Sequence, residues 1–273
     1  GLGLLGRGVG DARFLAECGA KVTVTDLKTR EELLESVNQL SDIPGIRFAL
    51  GGHTLADFQH ADLIVKGAGV PLENPYIDAA RAAGVPVCMS TALFATFSPA
   101  TIVGITGTRG KSTVTHLLAE ILKADGRDVF LGGNVRGVST LAHLPDSTDE
   151  EIAVLELDSW QLQGFGEAEI SPHIAVFTSF MADHQNYYHS MERYLEDKSQ
   201  IFRNQSEDDV LILGESVVDL VTETYGGAIR AKLSIARGDD VPDDWSPLLA
   251  GAHYLRNFSC ARKAALALGV SDD

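Results

Sequence analysis

The chain has 273 residues, 45% of them hydrophobic, and a formal net charge of −16. That length predicts two domains, and that acidity argues against nucleic acid as a partner. No apolar run approaches the roughly 20 residues of a membrane span, no secretory signal is visible, and three scattered cysteines (Cys18, Cys88, Cys260) fit a reducing cytosol better than a disulfide framework or metal cluster.

The chain opens on Gly1-Leu2-Gly3-Leu4-Leu5-Gly6, a G-x-G-x-x-G, followed by a helical pattern over 12–18 and an apolar strand over 21–25 that ends at Asp26. Glycines followed about 20 residues later by an acid form a dinucleotide-binding fingerprint. The strand expected ahead of the glycines is missing, so the sequence is expected to begin inside a βαβ unit. A helix over 31–40 and strands over 47–50 and 61–66 come next, then a turn at Gly67 to Pro71, a helix over 74–83 and a strand over 85–89. Segment 96–100 reads as a linker. A first, Rossmann-like domain over 1–97 and a second, P-loop-type domain over 98–273 are predicted, both α/β.

In the second domain an apolar run over 101–105 leads into Gly104-Ile105-Thr106-Gly107-Thr108-Arg109-Gly110-Lys111-Ser112-Thr113 and a helical pattern through Leu122. Strand, glycine loop, Lys-Ser and helix wrap backbone N–H groups around nucleotide phosphates. Lys111 is expected to reach the terminal phosphates, and the Ser112 or Thr113 hydroxyl to meet Mg²⁺. Ile105 stands where the general P-loop has its first glycine, so this is a narrower variant. Any such site must be locally positive in an acidic chain, and Arg7, Lys28, Arg109 and Lys111 are candidates for that role. Further strands are expected over 129–131, leading to Gly132-Gly133-Asn134, over 152–157, leading to Asp158-Ser159, over 173–178, leading to Asp183-His184, and over 210–213. Helices are expected over 191–202, carrying Lys198, and over 256–268. Glu156, 45 residues beyond Lys111 at the end of its strand, is placed to hold the Mg²⁺ of a bound nucleotide. His184 and Lys198 taken singly read as a structural histidine and a solvated lysine.

Taken together, six segments in order, 104–113, 132–134, 156–162, 182–188, 194–202 and 251–257, resemble the Mur ligases, ATP-dependent amide-bond-forming enzymes of peptidoglycan precursor synthesis. Thr25-Asp26-Leu27-Lys28, Leu50-Gly51-Gly52-His53 and Val65 to Pro71 resemble the D-glutamate-adding branch. The resemblance implies a monomeric cytoplasmic ligase that uses ATP and two Mg²⁺ to add D-glutamate to UDP-N-acetylmuramoyl-L-alanine. It implies catalytic roles for Lys111, His184 and Lys198, the last carried as a carbamate. Nucleotide contacts fall to Gly107, Thr108, Arg109, Gly110, Lys111, Ser112, Thr113 and, near the adenine, Asn257. The metals fall to Ser112, Thr113, Glu156, His184 and Lys198. The UDP end of the substrate falls to Gly3, Leu4, Leu5, Asp26, Leu27, Lys28, Gly67 and Gly69, and its muramoyl-alanine end to Asn134 and Ser159, with His184 also among the substrate contacts. Arg109, Asp158, Ser179 and Tyr254 depart from the usual family residues. The family's third, C-terminal domain is expected to be absent from this sequence, which would leave ligase activity incomplete. An L-alanine-adding relative stays open here, as does an NAD-dependent oxidoreductase, although the latter leaves the P-loop unexplained.

Overall fold

A computed structural model describes residues 1–2, 6–71, 73–241 and 251–271. The chain forms two compact units, 1–98 with 135–147, and 99–134 with 148–273. The first break falls inside the predicted linker, between Ser98 and Pro99. Segment 135–147, expected within the second domain, packs with the first unit.

The first unit contains α1 (Arg7–Glu17), β1 (Val22–Asp26), α2 (Leu34–Asn38), β2 (Ile46–Leu50), α3 (Leu55–Gln59), β3 (Ile64–Lys66), α4 (Pro75–Ala82), β4 (Val87–Met89) and α5 (Ser90–Phe97). Among the described residues its strands form two parallel ladders, β1 with β2 and β3 with β4. Each ladder has its own apolar cluster, one around Val24, Leu33, Val37 and Leu40, the other around Phe58, Ile77, Ala80 and Val85. Local chemistry sets α4: the Asn74 side chain accepts from the Tyr76 N–H, and Pro75 fills the first helical position, where no N–H is needed. The predicted linker began too early, because Thr96 and Phe97 close α5.

The second unit contains β5 (Thr101–Thr106), α6 (Lys111–Ala124), β6 (Val129–Gly133), β7 (Ile152–Glu156), α7 (Ser159–Glu167), β8 (Ile174–Phe177), α8 (Gln185–Tyr188), α9 (Met191–Arg203), β9 (Val210–Gly214), α10 (Val218–Tyr225), β10 (Lys232–Ala236) and α11 (Ala252–Ala267). Its strands make one parallel sheet of six in the order β10-β9-β8-β5-β7-β6. Every residue of β7 and β8 is buried, the mark of parallel strands covered on both faces. The core joins Val103 and Ile105 of β5, Val154 and Val176 beside them, Val114 and Leu118 of α6, and Ala261 and Ala264 of α11. Among the described residues, no helix is long and apolar enough to cross a membrane. The α/β class expected from the sequence is what the chain adopts.

Candidate functional site

β5 lies at the centre of the six-stranded sheet, with β7 on one side and β8 on the other. Chain order reverses there, and ligands of parallel sheets gather outside the carboxyl ends of strands at such a point. The loop after β5 begins at Gly107 (φ +147°) and ends at Gly110 (φ +88°), the N-cap of α6. Both need backbone conformations that glycine adopts at little cost. The end of β8 clamps this loop. Thr178 Oγ1 donates to the Arg109 carbonyl at 2.6 Å, Ser179 Oγ accepts from the Arg109 N–H at 2.9 Å, and the Thr108 N–H donates to the Ser179 carbonyl at 2.8 Å. Lys111 Nζ reaches back to the Gly107 carbonyl at 3.0 Å, while the Arg109 side chain is exposed. Ser112 and Thr113 stand in the first turn of α6, beside the loop.

Asn257 of α11 meets this loop directly: a Cβ on Gly110 would lie 2.5 Å from Asn257 Oδ1. Gly110→Ala is therefore expected to lower stability by about 1–3 kcal/mol through left-handed strain and displacement of Asn257. Thermal unfolding of the single variant and of Gly110→Ala combined with Asn257→Ala checks this. Partial recovery in the pair is expected; no recovery would mean the cost is backbone strain alone.

Lys198 is the least expected feature. Its residue is 1% exposed, and Nζ donates to the Gly107 carbonyl at 3.0 Å and to Thr106 Oγ1 at 3.3 Å. Lys111 and Lys198 thus converge on one carbonyl oxygen. Tyr194, one helical turn earlier, places its ring centroid 4.9 Å from the Lys198 ammonium, a cation–π contact. Burial, and next the charge of Lys111, bring the Lys198 ammonium down to about 7, against the opposing pull of Asp158, Asp183 and Asp197. A share of this lysine is then neutral amine near neutral pH, unlike a solvated lysine.

Glu156 closes β7, 7% exposed and in register with Ile105 of β5 and Gly133 of β6. Its carbonyl accepts from the Asn134 N–H at 2.7 Å, and a Cβ on Gly133 would run into that carbonyl oxygen. Glu156 and Asn134 therefore share one end of the sheet with the loop. Asp158 opens α7 with a reciprocal capping box to Gln161, which places Ser159 in the first turn, buried. His184 sits at φ +50°, with its ring 4.8 Å from that of Trp160 and 6.1 Å from that of Tyr194. A histidine held in the left-handed region costs of order 1 kcal/mol, and such strain collects at functional positions. The Asp183 carboxylate accepts from the His184 backbone N–H at 2.9 Å. Among the described residues no group of three or more His, Cys, Asp and Glu side chains could hold a metal. The expected metal set differs in kind, pairing one carboxylate and one imidazole with hydroxyls and a modified lysine. Hydroxyl, carboxylate and carbamate are hard oxygen donors suited to Mg²⁺.

In the first unit, Gly3, Leu4 and Leu5 lie outside the described residues. Gly6 N-caps α1 at φ +82°. Asp26 ends β1, and its carboxylate accepts from the Leu2 N–H at 2.8 Å and the Lys28 N–H at 3.0 Å, while the Leu27 side chain is 70% exposed. Gly67 and Gly69 sit in the turn after β3, where an added Cβ would meet none of the described residues within 4 Å. Sequence reasoning missed Thr178, Tyr194 and Lys66, a buried cation at the end of β3. The i, i+4 spacing of Tyr194 and Lys198 was the one available hint.

The Mur ligase middle domain matches residues 105–232, and the Mur ligase MurD-like N-terminal domain matches residues 1–89. The chain is 36% identical to the UDP-N-acetylmuramoylalanine–D-glutamate ligase of Roseiflexus sp. (strain RS-1), across 100% of this chain and 64% of that protein. It is 42% identical to the ligase of the same name from Borreliella burgdorferi (strain ZS7), across 78% of this chain and 46% of that protein. The chain thus spans between about half and two-thirds of the length of these curated relatives. In fold it is similar to the UDP-N-acetylmuramate:L-alanyl-gamma-D-glutamyl-meso-diaminopimelate ligase from Neisseria meningitides, with a TM-score of 0.65 at 18% identity, covering 99% of this chain and 92% of that one. It is also similar in fold to the MurF ligase from Thermotoga maritima, solved with ADP, with a TM-score of 0.55 at 19% identity, covering 92% of this chain and 61% of that one.

Proposed function

The chain belongs to the Mur ligase family, and on that premise we propose that the protein carrying it joins D-glutamate to UDP-N-acetylmuramoyl-L-alanine with cleavage of ATP. The observation that supports this reading best is the Lys198 amine, buried against the carbonyl of the phosphate loop. A nucleotide-binding regulator or a hydride-transfer enzyme has no use for a lysine made neutral at that place.

The reaction has two steps. The substrate carboxylate attacks the γ-phosphorus of ATP, giving an acyl phosphate and releasing ADP. The D-glutamate amine then attacks the acyl carbon, loses a proton and expels phosphate. The first step brings anion to anion, and two unit charges about 4 Å apart repel by roughly 4 kcal/mol at an effective dielectric near 20. Lys111 and the loop amides offset this and stabilise charge on the transferred group. Two Mg²⁺ would be held by Ser112 or Thr113 with Glu156, and by His184 with Lys198, and would supply further positive charge at the phosphates. For that role the neutral Lys198 amine would add CO₂ and lose one proton, giving an anionic two-oxygen ligand. Asn134 and Ser159 are assigned to the muramoyl-alanine end of the substrate, with His184 also among the substrate contacts, and Asp26, Leu27 and Lys28 to its UDP end. The enzyme is read as a cytoplasmic monomer.

The test uses the whole protein with UDP-N-acetylmuramoyl-L-alanine, ATP and a panel of amino acids, following phosphate release. D-Glutamate should stand out from the panel; phosphate release no greater than the blank would defeat the proposal. Lys111→Met should weaken ADP binding by roughly tenfold to a hundredfold, as expected for loss of charge-assisted hydrogen bonds. Calorimetric titration with ADP measures this, and an unchanged affinity would remove Lys111 from the phosphate site.

A further inference from the structure

Lys66, at the carboxyl end of β3, is only 4% exposed, and a buried ammonium is costly unless it is held and used. Its Nζ donates to the Val70 carbonyl at 2.8 Å and to the Gly67 carbonyl at 3.5 Å. The Val70 N–H in turn donates to the Gly67 carbonyl at 3.0 Å. Lys66 therefore closes both ends of the turn 67–70. Gly67 and Gly69 in that turn have no left-handed φ, and a Cβ on either would meet none of the described residues within 4 Å. Among the described residues neither backbone conformation nor packing requires the two glycines, and the space they leave suits an incoming group. The turn and the start of the glycine run belong to the same unit. At the start of that run the Asp26 carboxylate accepts from the Leu2 N–H at 2.8 Å. A cation screened from water projects its field over short distances with little loss.

We infer that Lys66 is a positioning residue for the phosphate end of a uridine diphosphate ligand: it clamps the turn 67–70 and lends it the positive charge that favours UDP over uridine. This rests on the reading of the first unit as a UDP-sugar site and adds to it a residue and a chemical preference. The charge matters because the chain as a whole carries −16 and would otherwise repel a diphosphate.

The experiment titrates the whole protein with UDP and with uridine by calorimetry, for the native sequence and for Lys66→Gln, Lys66→Met and Lys66→Arg. Gln keeps a donor for the carbonyls without the charge, Met keeps neither, and Arg keeps both. Gln and Met are expected to weaken UDP by roughly tenfold to a hundredfold, the range for a charge-assisted interaction, with uridine affinity held and Arg near native. Gly69→Ala should weaken UDP while leaving the Tm unchanged, which keeps the test open should Lys66→Met fold poorly. Equal loss of UDP and uridine in Lys66→Gln would overturn the charge role, and undiminished UDP binding in Gln and Met would overturn the inference altogether. Failure of the native protein to bind UDP would instead overturn the reading of the first unit.

Discussion

Lys198→Met is expected to lower the proposed turnover of the whole protein sharply and, at the same time, to make the fold more stable below pH 7. On the proposed reading the catalytic loss follows from removing the amine, beside the Gly107 carbonyl, that would carry the metal-holding carbamate; loss of positive charge held at the phosphates costs roughly a hundredfold to a thousandfold. The gain in stability follows from burial. Lys198 has a folded pKa of about 7 against an ordinary 10.5. Below pH 7 it is charged in both the folded and unfolded states, and the full cost of burying the charge is present. Between pH 7 and 10.5 the unfolded chain holds the proton that the folded chain has released, so stability rises with pH. At about 1.4 kcal/mol for each tenfold change in proton affinity, the penalty at pH 6 is a few kcal/mol. Lost hydrogen bonds to Gly107 and Thr106 return about 1 kcal/mol each. A net gain of about 1–3 kcal/mol at pH 6, shrinking towards pH 10, is expected. Thermal unfolding of both proteins across that range, in buffer purged of CO₂, measures it. A variant less stable than native at pH 6 would show that the buried ammonium is not under strain.

Gly107→Ala should damage both the fold of the second unit and the loop after β5. The native φ of +147° lies where L residues are rarely found, and the added Cβ would run into Thr178 Oγ1. It would also lie 3.0 Å from the Ser179 nitrogen and 3.2 Å from its carbonyl oxygen, backbone atoms at the end of β8 that cannot swing aside. The same Gly107 carbonyl receives both Lys111 and Lys198, so a shift of this residue moves both cations. A loss of about 2–4 kcal/mol of stability is expected from strain and overpacking together, with no measurable ADP binding. Thermal unfolding and ADP titration read the two effects separately. Native-like ADP affinity in this variant would show that the loop reaches its working shape without the conformation seen at Gly107. Thr178→Ala combined with it should recover little, because the backbone contacts remain.

The elements most legible in the sequence were those specified by neighbours along the chain. β5, β7, β8 and β9 are short apolar runs ended by turn residues, and α9 alternates apolar and charged residues with helical spacing. Elements read poorly were short or buried all round. α7 buries Ser159, Gln161, Leu162, Gln163, Gly164 and Phe165, so it has no polar face to reveal its period, and its two glycines argue locally against a helix. α5 has the same difficulty, with Thr91, Ala92 and Phe94 buried and no charged residue in its length. β10 exposes Lys232 and Leu233 at the edge of the sheet and shows no clean alternation.

By itself the sequence determined the α/β class, the phosphate loop between β5 and α6, and the positions of Glu156, His184 and Lys198 along the chain. These are contiguous features whose meaning lies in residues a few bonds apart. Tertiary structure decided what they touch. Lys198 bonds to a carbonyl 91 residues away, Thr178 to one 69 residues away, and Asn257 abuts the helix cap at Gly110. A lysine on a helix is a solvated cation until folding removes its water and sets a second lysine beside it. That desolvation, which depends on the packing of α9 against β5 and β8, is what brings the Lys198 ammonium down to about 7.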